Sequence, residues 1–222
     1  MSSSLQVIEA QTGEQPVATI LIMHGLGADG RDFVPIAEQL DLTAVGPVRF
    51  LFPSAPSIPV TINGGYVMPA WYDLMGADLV SRQDEVGLRR SQASIEALIG
   101  REKSRGIPAR RIVVAGFSQG CAMALMTGLR HPERLAGIAG LSGYLPLADK
   151  TAAERSTASL ETPIFLAHGT HDGVVTLPRA TASRDALTAM GYQVDWHAYP
   201  MEHSVCPQEV TDLQDWLLRV LA

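Results

Sequence analysis

Ile112-Val113-Val114-Ala115-Gly116-Phe117-Ser118-Gln119-Gly120-Cys121-Ala122, running on to Leu129, changes character at its centre. Up to Gly116 it is continuously apolar, the pattern of a strand buried on both faces of a parallel sheet. Beyond it, Ala122, Leu125, Met126 and Leu129 recur at helical spacing and share one face. The turn between the two halves is Gly116-Phe117-Ser118-Gln119-Gly120, a Gly-x-Ser-x-Gly sequence. So abrupt a strand-to-helix turn strains the backbone of its central residue and leaves no room for side chains at its flanks, where the glycines stand. The helix start also points backbone N–H groups at negative charge developing beside the serine. The stretch therefore reads as a nucleophile elbow, with Ser118 as the nucleophile.

Short apolar runs like 112–116 recur at 18–23, 49–52, 137–141 and 164–167, with a more mixed one at 194–199 and a candidate antiparallel edge strand at 5–9. Helix-period segments alternate with them. Phe33, Ile36, Ala37 and Leu40 share a face; Ile95, Leu98 and Ile99 mark a helix ending near Gly106; Leu187 and Met190 precede a cap at Gly191; Val210, Leu213, Leu217 and Val220 mark the last helix. Strands alternating with helices imply a mostly parallel sheet with right-handed crossovers. Together with the elbow, the pattern predicts an α/β-hydrolase fold, a central sheet flanked by helices, with residues 1–222 as one domain. Residues 54–78 differ, being rich in Pro, Gly, Met and aromatics and long for a connection, and they read as a lid-like loop. Only about twenty residues, 142–163, separate two successive strands where large caps are typically inserted, too few for a separate cap domain.

A serine hydroxyl needs a base to take its proton and a carboxylate to orient that base. In this fold the chain order is Ser, Asp or Glu, then His, on loops at the carboxyl ends of later strands. His203 follows the run 194–199 and precedes the last helix, and Asp172 follows the run 164–167. His197 falls inside a strand pattern, His131 ends a helix, and Asp212 and Asp215 read as solvated positions at the start of the final helix. An oxyanion hole needs two donors. One is the N–H of Gln119, directly after the nucleophile; the other is the N–H of Leu26, in the glycine-flanked loop after the run 18–23. His24 reads as an imidazole that holds that loop by hydrogen bonds. Within 54–78, Trp71, Leu74 and Met75 are candidates to line a groove for an acyl chain, or to tie the loop to the body.

The bulk numbers set limits. Of 222 residues, 46% are hydrophobic and 18% charged, an ordinary globular balance. A net charge of −6 leaves no basic stripe for nucleic acid and disfavours an anionic membrane surface. No run approaches the roughly 20 apolar residues of a membrane span, and the first residues lack a signal-peptide pattern. Two cysteines, Cys121 and Cys206, make neither a disulfide framework nor a metal-ligand spacing. The expected compartment is the cytoplasm.

The chain resembles the bacterial carboxylesterases and acyl-protein thioesterases, the phospholipase/carboxylesterase proteins. The resemblance rests on residues 21–30 (Leu-Ile-Met-His-Gly-Leu-Gly-Ala-Asp-Gly), Trp71-Tyr72-Asp73, the 116–120 elbow, residues 168–175 (His-Gly-Thr-His-Asp-Gly-Val-Val) and His203 next to Ser204. It implies a Ser118, Asp172, His203 triad with Leu26 and Gln119 donating to the oxyanion, and a small-molecule ester or acyl-thioester substrate. It implies no metal or organic cofactor, and it allows a homodimer. The leading expectation is a serine carboxylesterase that hydrolyses carboxylic esters through an acyl-enzyme, and the alternative is an acyl-protein thioesterase or lysophospholipase acting on long-chain acyl groups. A lactone hydrolase on the same scaffold is disfavoured by Ser rather than Cys at 118. A catalytically silent binding protein is disfavoured because every expected part is present.

Overall fold

The computed structural model describes residues 5–76 and 82–222. The elements run β1 (Gln6–Gln11), β2 (Ala18–Met23), a short α1 (Val34–Ala37), β3 (Val48–Ser54), β4 (Ser57–Val60), β5 (Tyr66–Pro69), α2 (Glu85–Ser104), β6 (Ile112–Phe117), α3 (Gln119–Gly128), β7 (Gly137–Leu141), α4 (Ala148–Glu154), β8 (Ile164–Gly169), α5 (Leu177–Ala189), β9 (Val194–Tyr199) and α6 (Pro207–Val220). Seven strands form one sheet in the order β1-β3-β2-β6-β7-β8-β9. β1 is antiparallel to β3, and every other neighbouring pair is parallel. The fold is that of an α/β-hydrolase.

Strand order reverses at β2, whose neighbours are β3 on one side and β6 on the other. In open α/β sheets, ligands bind outside the carboxyl ends of the strands at such a switch point. Register sets which residues emerge there. Met23 pairs with Gly116, Phe117 with Leu141, Leu141 with Ala167 and Gly169 with Tyr199. The strands thus end along one edge, and the next residues, His24, Ser118, the loop carrying Asp172 and the loop carrying His203, issue from it.

Side-chain alternation divides the core. Leu21, Met23, Leu51 and Val114 face α2, α3 and α5, while Ile20, Ile22, Phe50, Phe52 and Val113 face α1 and α6. All ten residues of α3 are buried, so Ser118 stands at the start of a helix enclosed all round. Burial of this kind contributes roughly 1.5–3 kcal/mol per large aliphatic side chain.

The structure departs from the sequence reading in two places. The segment 54–78, expected as a lid-like loop, holds regular structure: residues 57–69 form the β4–β5 hairpin, paired from Ser57 with Pro69 to Val60 with Tyr66, and residues 77 and 78 lie outside the described residues. The helix expected around Phe33 to Leu40 is only a 3-10 turn, Gly30–Phe33, followed by the four residues of α1. Residues 142–163 hold α4 and a 3-10 turn, Thr157–Glu161, and no separate cap.

Candidate active site

At the elbow, Ser118 has φ 55° and ψ −115°, between the last residue of β6 and the first of α3. A non-glycine residue in that region costs of order 1–3 kcal/mol and persists where its surroundings over-determine it. Here they do. The Ser118 N–H donates to the Leu141 carbonyl at 2.9 Å, continuing the β6–β7 ladder by one residue. A Cβ at Gly116 would overlap the Gly120 carbonyl, and a Cβ at Gly120 would overlap the Met23 carbonyl. Any other residue at either position would force strand and helix apart.

His203 Nε2 lies 3.0 Å from Ser118 Oγ, and His203 Nδ1 lies 2.7 Å from Asp172 Oδ2. The other carboxyl oxygen, Asp172 Oδ1, accepts the N–H groups of Val174 at 2.8 Å and Val175 at 2.9 Å. An ionised carboxylate only accepts, so Nδ1 carries the ring proton and Nε2 presents its lone pair to the serine hydroxyl. The two loops are held side by side, since Thr170 N–H donates to Tyr199 O and His171 N–H to Met201 O. The Phe117 ring packs against the His203 imidazole, centroids 4.7 Å apart. His168, buried beneath, meets the Val175 carbonyl through Nε2 at 2.7 Å, and burial holds its pKa below the ordinary histidine value. A neutral ring donating there braces the turn that carries Asp172.

The Leu26 and Gln119 amides have no hydrogen-bond partner among the described residues. Their loops meet at Ser118, for a Cβ on Gly25 would lie 3.3 Å from Ser118 Cβ. His24 holds its own loop: Nε2 accepts from Ala55 N–H at 3.0 Å, so Nδ1 carries the proton and donates to Gly25 O at 2.6 Å. Burial lowers its pKa, consistent with a neutral ring.

A cleft of about 440 Å³ opens over Ser118 and His203, within the usual range of small-molecule sites. Ile62, Tyr72, Leu74, Phe117, Val174 and Val175 give it mainly apolar walls. Of the three groove candidates, Leu74 lines it. Trp71 does not: it is fully buried and its indole N–H donates to the His24 carbonyl at 2.9 Å. Met75, 39% exposed, lies outside the lining as well. Two larger clefts, of about 790 and 750 Å³, include none of Ser118, Asp172 and His203 in their walls.

The family profile described as Phospholipase/Carboxylesterase matches residues 4–221. The chain belongs to the phospholipase/carboxylesterase family. It is 41% identical over 205 residues to acyl-protein thioesterase 1 of Yarrowia lipolytica, covering 90% of each chain. To acyl-protein thioesterase 1 of Neurospora crassa it is 44% identical over 209 residues, 90% of this chain and 85% of that one. The crystal structure of Zea mays acyl-protein thioesterase 2 superposes with a TM-score of 0.86 at 30% identity, covering 98% of this chain and 99% of that one. This phospholipase/carboxylesterase protein is accordingly an ester hydrolase.

Sequence reasoning gave no role at this hydrolase's cleft to Tyr144 or Asp32, and it placed Tyr72 only among the aromatic residues of 54–78 that could line a groove. Tyr72 and Tyr144 join hydroxyls at 2.9 Å in its wall, and burial pushes the Tyr144 phenol up to about 12. Asp32 is the one Asp, Glu, Lys or Arg in the described wall, and among the described residues its carboxylate has no hydrogen-bond or ion-pair partner. Asp32 lies in the same short run as the expected oxyanion loop, but nothing in its spacing marks it. Among the described residues, no group of three or more His, Cys, Asp or Glu is placed to hold a metal ion, and no helix is long and apolar enough to cross a membrane.

Proposed function

We propose that this chain cleaves acyl esters and thioesters through an acyl-enzyme on Ser118, with His203 as general base and acid and Asp172 as its orienting carboxylate. The observation that carries the reading is the unbroken chain from Ser118 Oγ through His203 to Asp172, ending beside two unpaired amides. Ser118 Oγ attacks the acyl carbonyl while His203 Nε2 takes its proton. The carbonyl oxygen becomes an oxyanion and receives the Leu26 and Gln119 N–H groups. Collapse breaks the bond to the thiol or alcohol, which leaves with the proton from His203. Water then repeats the sequence at the acyl carbon, releasing the acid and the free serine.

The apolar cleft favours an acyl chain over a short acetyl group, in line with relatives named acyl-protein thioesterases. Cys121 and Cys206 are free thiols, which suits action in a reducing compartment such as the cytoplasm. The test is kcat/KM over p-nitrophenyl esters and matched thioesters from acetyl to palmitoyl. A rise toward longer chains is expected; a maximum at acetyl would remove the acyl-groove reading and leave a small-ester carboxylesterase.

A further inference from the structure

The two oxyanion donors come from distant parts of the chain, Leu26 after β2 and Gln119 at the start of α3, yet one short segment holds both. Residues 69–72, at the end of the hairpin, form that segment. The Gln119 side chain, 3% exposed, spans it: Oε1 accepts the Trp71 N–H at 3.0 Å and Nε2 donates to the Tyr72 carbonyl at 3.0 Å. From the same segment, Trp71 Nε1–H donates to the His24 carbonyl at 2.9 Å, and the Pro69 carbonyl accepts the Gly27 N–H at 2.9 Å. Leu26 is therefore gripped two residues before and one residue after itself by the strut that the Gln119 side chain holds. The strut is anchored in turn by Ser91 of α2, whose hydroxyl donates to the Trp71 carbonyl.

We propose that the Gln119 side chain and Trp71 are positioning residues that set the separation of the two oxyanion donors. The inference rests on the acyl-enzyme reading above. Oxyanion stabilisation depends on donors placed about 2.7–3.1 Å from where the charge will form, and losing one donor outright costs roughly 10²–10³ in kcat. Releasing the strut leaves both N–H groups in the chain but lets them drift, so the loss is smaller and confined to the transition state.

The experiment uses Gln119→Met, which keeps side-chain length and the backbone N–H but removes both side-chain hydrogen bonds. Trp71→Phe accompanies it, keeping a buried ring but not the N–H to His24. Thermal melts place the assay temperature well below unfolding for each protein. The probes are an acyl trifluoromethyl ketone, which adds the serine oxygen and creates an oxyanion, and a thioether analogue of the thioester, which cannot. Each variant is expected to lose about 10- to 100-fold in kcat with KM within about twofold. Inhibition by the ketone should weaken by the same factor and inhibition by the thioether should not change. The double variant should lose no more than about the worse single change, because both act on one strut. Unchanged kcat in both folded variants would overturn the proposal, and so would thioether affinity falling in step with ketone affinity. Failure of the ketone to modify Ser118 in the unaltered protein would instead remove the acyl-enzyme reading itself.

Discussion

Replacing Asp172 with Asn should silence the enzyme by reversing a proton, with little disturbance of packing. Asp172 Oδ1 is fixed by two N–H donors, those of Val174 and Val175. In the variant the amide oxygen must take that position, since an NH₂ group would face two donors. The NH₂ group then points at His203 Nδ1, where Oδ2 now stands 2.7 Å away. Nδ1 becomes an acceptor, the ring proton moves to Nε2, and the nitrogen 3.0 Å from Ser118 Oγ can no longer take the serine proton. In Ser-His-Asp triads the wrong tautomer costs about 10⁴ in kcat, equivalent to ~5.4 kcal/mol of transition-state stabilisation. The assay is kcat at saturating p-nitrophenyl ester near pH 8, with a melting curve showing that the fold is retained. A folded Asp172→Asn protein keeping more than about a tenth of the activity would show that Asp172 does not set the tautomer of His203.

Two further predictions concern charge. Glu209, in the first turn of α6, is fully buried; the Cys206 amide approaches its carboxyl without reaching hydrogen-bond geometry, so burial dominates and raises the pKa from 4.5 to about 8. Below pH 4.5 the folded and unfolded forms are both protonated there; between 4.5 and about 8 only the unfolded chain ionises, so stability falls as pH rises and levels off above 8. Glu209→Gln should therefore raise Tm relative to the parent by ~5–10 °C at pH 8.5, from a few kcal/mol, and by almost nothing at pH 4; an equal difference at both would contradict it. At the cleft, the unpaired Asp32 should favour esters with a cationic leaving group over anionic ones by a few-fold at low salt. That preference should vanish in Asp32→Asn and in ~0.5 M salt, and its persistence in the variant would assign it elsewhere.

Much of this was legible in the residues because the governing interactions are local or repeat with a fixed period. Continuous apolar runs mark strands buried on both faces, and the six parallel strands fall within a few residues of those runs. The elbow is readable because its two glycines answer a steric demand made within five residues. What was not legible depends on partners far along the chain. Trp71 and Met75 looked equivalent to Leu74, but the indole N–H finds the His24 carbonyl and goes inward, while Met75 turns to solvent. The hairpin was hidden by prolines at 59 and 69 and by strands of only four residues, too short to show alternation. Asp212 read as solvated, yet it accepts the Tyr199 hydroxyl at 2.7 Å across the β9–α6 connection. The Gln119 side chain gave no signal either, because its partners lie 47 and 48 residues away.

Catalysis through a covalent acyl group on one serine can be read by intact-mass spectrometry of the enzyme quenched within milliseconds of mixing with a slowly deacylating p-nitrophenyl ester. A mass increase of one acyl group is expected, mapped to the peptide carrying Ser118 and absent from Ser118→Ala, which should also have lost turnover. Undiminished turnover in Ser118→Ala, or the acyl group on another residue of the unaltered protein, would contradict it.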